Sequence, residues 1–146
     1  MNESVLSNNI DTTNNIEKSG FEDVLTRLFS RIKKVSARKI EPNKYQIYFP
    51  IFKYEGGVYE IFLVKENGKF FMSDDGATYQ YLDKTFELNE PDVIKNIVAT
   101  IKHFGCRKHP SSNAFTMECT PFNVHIQMSN FIQTLTMLLN MRIFYN

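Results

Sequence analysis

Between Phe21 and Val35 the apolar positions fall at three- and four-residue steps: Phe21, Val24, Leu25, Leu28, Ile32 and Val35. That spacing gathers them on one stripe of a helix. Ser19-Gly-Phe-Glu22 stands just ahead with the S-x-x-E spacing of a capping box, whose hydroxyl and carboxylate satisfy free N–H groups of the first turn. After Glu41-Pro-Asn43 the period shortens. Tyr45, Ile47, Phe49 and Ile51 alternate with Gln46, Tyr48 and Pro50, which predicts a strand with an edge or an end at the proline. Gly56-Gly57 interrupts, and a second strand follows from Val58 to Lys65. Asn67-Gly68 then separates it from a third at Phe70 to Ser73, and both turn residues accept the positive φ of a type I′ hairpin. These three strands form an antiparallel meander.

The second half repeats the alternation of periods. Ala77 to Leu82 reads as a short helix. Asn89-Glu-Pro-Asp92 opens a longer one, with Val93, Ile94, Ile97, Val98, Ile101 and Phe104 as its buried face and Gly105 placed to end it. Phe115, Met117 and Cys119 alternate with polar residues, and Phe122, Val124, Ile126 and Met128 do so again after Pro121, predicting two short strands or one broken strand. Ser129 is placed to cap a last helix faced by Phe131, Ile132, Leu135, Leu138 and Leu139. Residues 1–18 are polar and Asn-rich without sustained periodicity, the signature of a mobile tail that docks through Val5, Leu6 or Ile10. Residues 19–146 then make one α+β domain: a three-stranded antiparallel meander plus a short strand or hairpin, with the helices packed on one face.

Composition narrows the function more than it defines it. The 146 residues suit one domain with a working core, and a net charge of +1 creates no global field for nucleic acid or membrane. No apolar run approaches the roughly 20 residues that span a bilayer, and the acidic N-terminus lacks the pattern of a signal peptide. A cytoplasmic location follows as the expectation, and there Cys106 and Cys119 stay reduced. With His103, His109 and His125 they show no close metal-binding pair, so neither metal nor cofactor is expected. Nucleophile-elbow and phosphate-loop patterns are lacking, and nothing marks an enzyme.

Phe70 to Asp83, FFMSDDGATYQYLD, sets two adjacent carboxylates and a glycine between strand and helix. Asp74 or Asp75 can cap the helix, and Gly76 relieves the backbone. Alternatively the two carboxylates hold a divalent cation for phosphodiester hydrolysis, with Glu60 and Lys65 on the preceding strand as partners; a contact surface for a partner is the third reading. Phe71-Met-Ser-Asp-Asp-Gly76, followed by Thr78 and Leu82 and preceded by a strand and a hairpin, resembles a bacterial and phage family of unknown function. Its members carry Ser or Thr, Asp, Asp or Gly, then Gly-x-Thr and a later Leu, in an N-terminal domain of this size. Met72 replaces the usual aliphatic residue, and the Asn-rich tail is a further departure. The resemblance spans about residues 20 to 142 and implies a small prokaryotic or mobile-element protein, without a mechanism.

Arg27, Arg31, Lys33, Lys34, Arg38, Lys39 and Lys44 crowd the first helix and the link beyond it. Such a basic face lies in solvent, docks an acidic protein partner, or meets phosphates, with Arg27, Arg31, Lys34 and Arg38 as contacts. Lys102, Arg107 and Lys108 with His103 and His109 form a second group, which adds weight if both share a face. The meander carries aromatics on both sides, so Tyr48, Tyr59 and Phe71 are expected on the face opposite the helices, open to a partner or to stacked bases. A non-enzymatic module that docks a protein partner, in a prokaryotic or phage-host conflict setting, is the leading expectation. Nucleic-acid binding is the alternative, a metal-dependent phosphodiesterase or nuclease at the SDDG turn the second alternative, and a second copy of the chain a further candidate partner.

Overall fold

The computed structural model describes residues 5–6, 20–53 and 57–141. Strand β1 is Val5–Leu6, followed by helix α1, Phe21–Arg31, and four strands: β2 (Ser36–Glu41), β3 (Lys44–Phe52), β4 (Val58–Glu66) and β5 (Lys69–Ser73). Helices α2 (Ala77–Thr85) and α3 (Pro91–Phe104) come next, then β6 (Arg107–Lys108), β7 (Phe115–Cys119) and helix α4 (Val124–Leu139). All strands join one antiparallel sheet ordered β1-β2-β3-β4-β5-β7-β6. The fold class is α+β.

The meander has a strand that periodicity missed. β2 occupies the stretch read as the end of the first helix and its basic link. Helix α1 stops at Arg31, where Ile32 turns to extended backbone at φ −125°, and Lys34 takes a positive φ of 62° in the turn. Ile32 and Val35 therefore leave the helical stripe, although Val35 is still buried. Ser19 lies outside the described residues, as does the rest of the tail apart from Val5–Leu6; those two pair with Arg38 and Ala37 of β2. The Asn67-Gly68 turn forms as expected, with both residues at positive φ.

Cross-strand register sorts the two faces. Ala37, Ile47 and Ile61 make one inward row, and Tyr45, Leu63, Met72 and Met117 another. Helices α1 and α4 cover these rows through Phe21, Val24, Leu25 and Leu28 on one side and Val124, Met128, Phe131, Leu135 and Leu138 on the other. Phe21 packs its ring 4.6 Å from Tyr45 and 5.0 Å from Phe70, centroid to centroid. A second correction concerns α4. It starts at Val124, so Phe122 to Met128 is no strand and Ser129 lies inside the helix. The alternation there is accidental: Val124 and Met128, four apart, share the buried helical face, while Ile126 lies on the exposed one and Phe122 is exposed in the turn before the helix.

Candidate functional site

The SDDG junction is a closed hydrogen-bonded knot. Ser73 ends β5, and Asp75 and Gly76 follow in left-handed backbone at φ 56° and 88°. This reversal turns the buried Asp74 carboxylate onto the start of α2. One oxygen, Oδ1, accepts from the Gly76 N–H at 3.0 Å and from the Phe115 N–H at 2.9 Å. The other, Oδ2, accepts from the Thr78 N–H at 3.0 Å. The Asp75 N–H donates to Ser73 Oγ, and the Ala77 N–H to the Asp74 carbonyl. Every N–H from Asp75 to Thr78 is thus occupied, and the positive end of the α2 dipole already faces a carboxylate.

The two carboxylates diverge. Asp75 is exposed and pairs with Lys44 of β3 at 2.5 Å. Lys44 in turn lies over the Phe62 ring, 4.6 Å from its centroid. Among the described residues no three Asp, Glu, His or Cys side chains come together as a metal would require. Cys106 and Cys119 are free, buried thiols. Burial pushes both up to about 12, with the Asp74 charge adding to the effect at Cys106 and the Glu118 charge at Cys119. They are protonated at neutral pH and poor nucleophiles.

Beside the junction opens a crevice of about 280 Å³ between the start of β4, the first turn of α2 and the last turn of α4. Asp74 and Thr78 border it on the α2 side, and Lys53, Glu60, Tyr81, Leu135, Leu139 and Asn140 supply the rest of its character. Glu60 was singled out in the sequence for its place near the acidic pair; it borders the crevice, but the register sets its side chain on the opposite sheet face, beside Tyr48. Lys65 instead points to the helix side, its Nζ 5.7 Å from the Phe70 ring centroid. Lys53, Tyr81 and Asn140 were not anticipated; they come from three segments far apart in the chain, and no short-range pattern links them.

The basic residues do not form one helical face. Arg27 and Arg31 are exposed one turn apart on α1, and the Arg27 guanidinium sits 5.5 Å over the Phe122 ring. Lys34 is in the turn, and Arg38 stands on β2, donating to Gln46 and stacking on Tyr48. The register does put parts of both basic groups on one sheet face: Arg38, Gln46, Phe62, Ser73, Thr116 and Arg107 are successive cross-strand partners. Glu60, Glu66 and Glu118 project from that same face, and Lys69 and Glu118 approach within 3.9 Å. The face is mixed in charge, unlike a phosphate-binding stripe. Tyr48 is exposed and Phe71 half-buried there, but Tyr59 points to the helices, where its hydroxyl meets Thr136 Oγ1.

Helix α3 departs furthest from expectation. Of its six apolar positions only Val93 is buried; Ile97, Ile101 and Phe104 are half-buried, and Ile94 and Val98 are 44% and 38% exposed. The reason is position. α3 packs chiefly on α4, as an outer element, and has only a helix edge to cover it. Its termini are well formed all the same. Pro91 opens it, and Gly105 at φ 79° closes it, with the Cys106 N–H donating to Ile101 and the Gly105 N–H to Lys102. The chain matches no protein-family model, and no curated protein or solved structure matches it either.

Proposed function

We propose that the protein is a non-enzymatic binding module that docks a protein partner on the open face of α3. The observation that carries this reading is the exposed pair Ile94 and Val98, one turn apart on a capped helix. A helix that ends properly but leaves its apolar stripe in water is stable enough to present that stripe and gains by covering it. Lys95 and Lys102 lie exposed along one side of the stripe, and Asp92 is the helix's sole acid. The partner that fits is an amphipathic helix with an acidic margin. A second copy fits less well, since it would set these lysines against their own counterparts. The bacterial or phage setting implied by the SDDG resemblance is the context we propose for such a partner.

The test uses the intact protein to isolate a partner, which is then purified and titrated back. Ile94→Asp with Val98→Asp should weaken that complex at least tenfold while leaving the melting temperature near that of the native chain. An unchanged dissociation constant would remove α3 from the reading. Retention of an oligonucleotide at low salt, lost on Arg27→Glu and Arg31→Glu, would replace it with nucleic-acid binding.

A further inference from the structure

The crevice beside the SDDG junction shares no residue with the α3 face and has its own chemistry. We propose that it binds a medium-chain monocarboxylate, a hydrocarbon body ending in one carboxylate. Lys53 decides the charge. Its N–H donates to the Gly57 carbonyl, one step beyond the Phe52–Val58 pair, so Lys53 stands on the sheet face opposite to Val58. That is the helix face, where the Tyr59 hydroxyl meets Thr136 of α4. Among the described residues Lys53 makes no ion pair. Neither acid that borders the space offsets it. The register turns the Glu60 side chain to the other face of the sheet, and both Asp74 oxygens are taken by three N–H bonds. Leu135, Leu139 and Ala77 contribute apolar surface, with the Tyr81 ring beside them. Asn140 gives one hydrogen of its Nδ2 to the Thr136 carbonyl and has a second to donate.

An unpaired cation beside an apolar wall suits an anion with an apolar body. A cationic ligand finds no free acid there, and a neutral one would take water from Lys53 without replacing it. Phosphate esters fit poorly as well. The N–H groups at the start of α2, the natural cradle for a phosphate, are all occupied by Asp74 and Ser73. A single lysine offers too little positive charge for a dianion. The size agrees with a small ligand. About 280 Å³ holds roughly nine water-sized groups at about 30 Å³ each, close to the bulk of octanoate. In the complex Lys53 and the Asn140 amide hold the carboxylate, and the chain lies against Leu135, Leu139 and Ala77.

Isothermal titration of the full chain separates charge from hydrocarbon. The probes are octanoate, acetate (which lacks the chain), 1-octanol (which lacks the charge), octylamine (which reverses it) and adenosine monophosphate. Octanoate should bind, with 1-octanol and octylamine at least tenfold weaker and acetate giving no measurable heat. Lys53→Met should bring octanoate down to the affinity of 1-octanol and leave 1-octanol itself unchanged. Glu60→Gln, on the other face of the sheet, should shift the octanoate affinity less than twofold. Ala77→Phe, at an exposed position on the crevice wall, should abolish binding without touching the charge, and it serves if the lysine variant fails to fold. No binding of octanoate, equal binding of 1-octanol or octylamine, or tighter binding of adenosine monophosphate would each overturn the assignment. So would an octanoate affinity indifferent to Lys53→Met or to Ala77→Phe, or a larger shift on Glu60→Gln.

Discussion

Helices α1 and α3 present the same pattern in sequence and opposite fates in the fold. Each has apolar residues at helical spacing over about three or four turns, and each carries two cations among the polar residues of its other side. α1 buries Phe21, Val24, Leu25, Leu28 and Phe29, because it lies directly on the sheet with Phe21 wedged between Tyr45 and Phe70. α3 buries Val93 alone. Amphipathicity records that a helix has something to cover. It does not record whether the covering surface belongs to the same chain.

That contrast can be attacked by substitution. Leu25→Ala, in the fully buried stripe of α1, should destabilise by about 2–5 kcal/mol in a denaturant titration, through lost transfer energy and the cavity left behind. A cost below about 1 kcal/mol would mean that α1 is no more essential to the core than α3. Asp74→Asn should cost about 1–3 kcal/mol, because the carboxylate acts purely as an acceptor toward three N–H groups and an amide NH2 would face one of them. A near-neutral result would show that the knot rearranges around an amide.

Cys106, where the α3 segment rejoins the buried core, gives the next effect. Its thiol and that of Cys119 ionise near 12 in the fold and near 9 when unfolded, so the unfolded state loses protons first as pH rises. Stability should hold below pH 9 and fall between 9 and 12, by about 1 kcal/mol per thiol at pH 10. A flat urea midpoint from pH 8 to 10 would show the thiols to be hydrated. The smallest change is expected on α3 itself: Ile94→Thr should shift stability by about 0.5 kcal/mol or less, as at an ordinary surface site. A loss comparable to Leu25→Ala would mean that the α3 stripe is covered within the chain after all.

The local grammar of the fold was legible where one element dominates its neighbourhood. The Asn67-Gly68 turn, the Gly105 stop and the two-residue alternation of β3 to β5 and β7 all require only near neighbours, and all stand where the pattern puts them. β2 was hidden because Ser36 to Glu41, SARKIE, has a basic, weakly alternating sequence; its place is set by pairing with β3 rather than by its own propensity. The start of α4 was misplaced because positions 122 to 128 satisfy both periods at once over so short a run. Of the candidate site, a cap from one of the two carboxylates was legible, and Asp74 supplies it; the pairing of Asp75 with Lys44, 31 residues away in sequence, was not. The bond from Asp74 to the Phe115 N–H was not, since it joins positions 41 residues apart. Nor was the crevice, whose lining exists only once three segments converge.

That same bond bears on the order in which the chain assembles. During synthesis or refolding, Asp74 can meet the Gly76 and Thr78 N–H groups as soon as β5 turns into α2, within a handful of residues. Its third partner arrives only when β7 docks beside β5, after α3 and the 109–114 loop have been traversed. Until then a carboxylate destined for burial still needs water, and the nascent α2 stays loosely attached to the meander. Closing β7 and drying Asp74 are therefore one event. A chain stalled before Phe115 would hold its four-stranded meander with an open, hydrated corner, and substitutions at Asp74 should act mainly on the unfolding rate rather than on the first steps of folding.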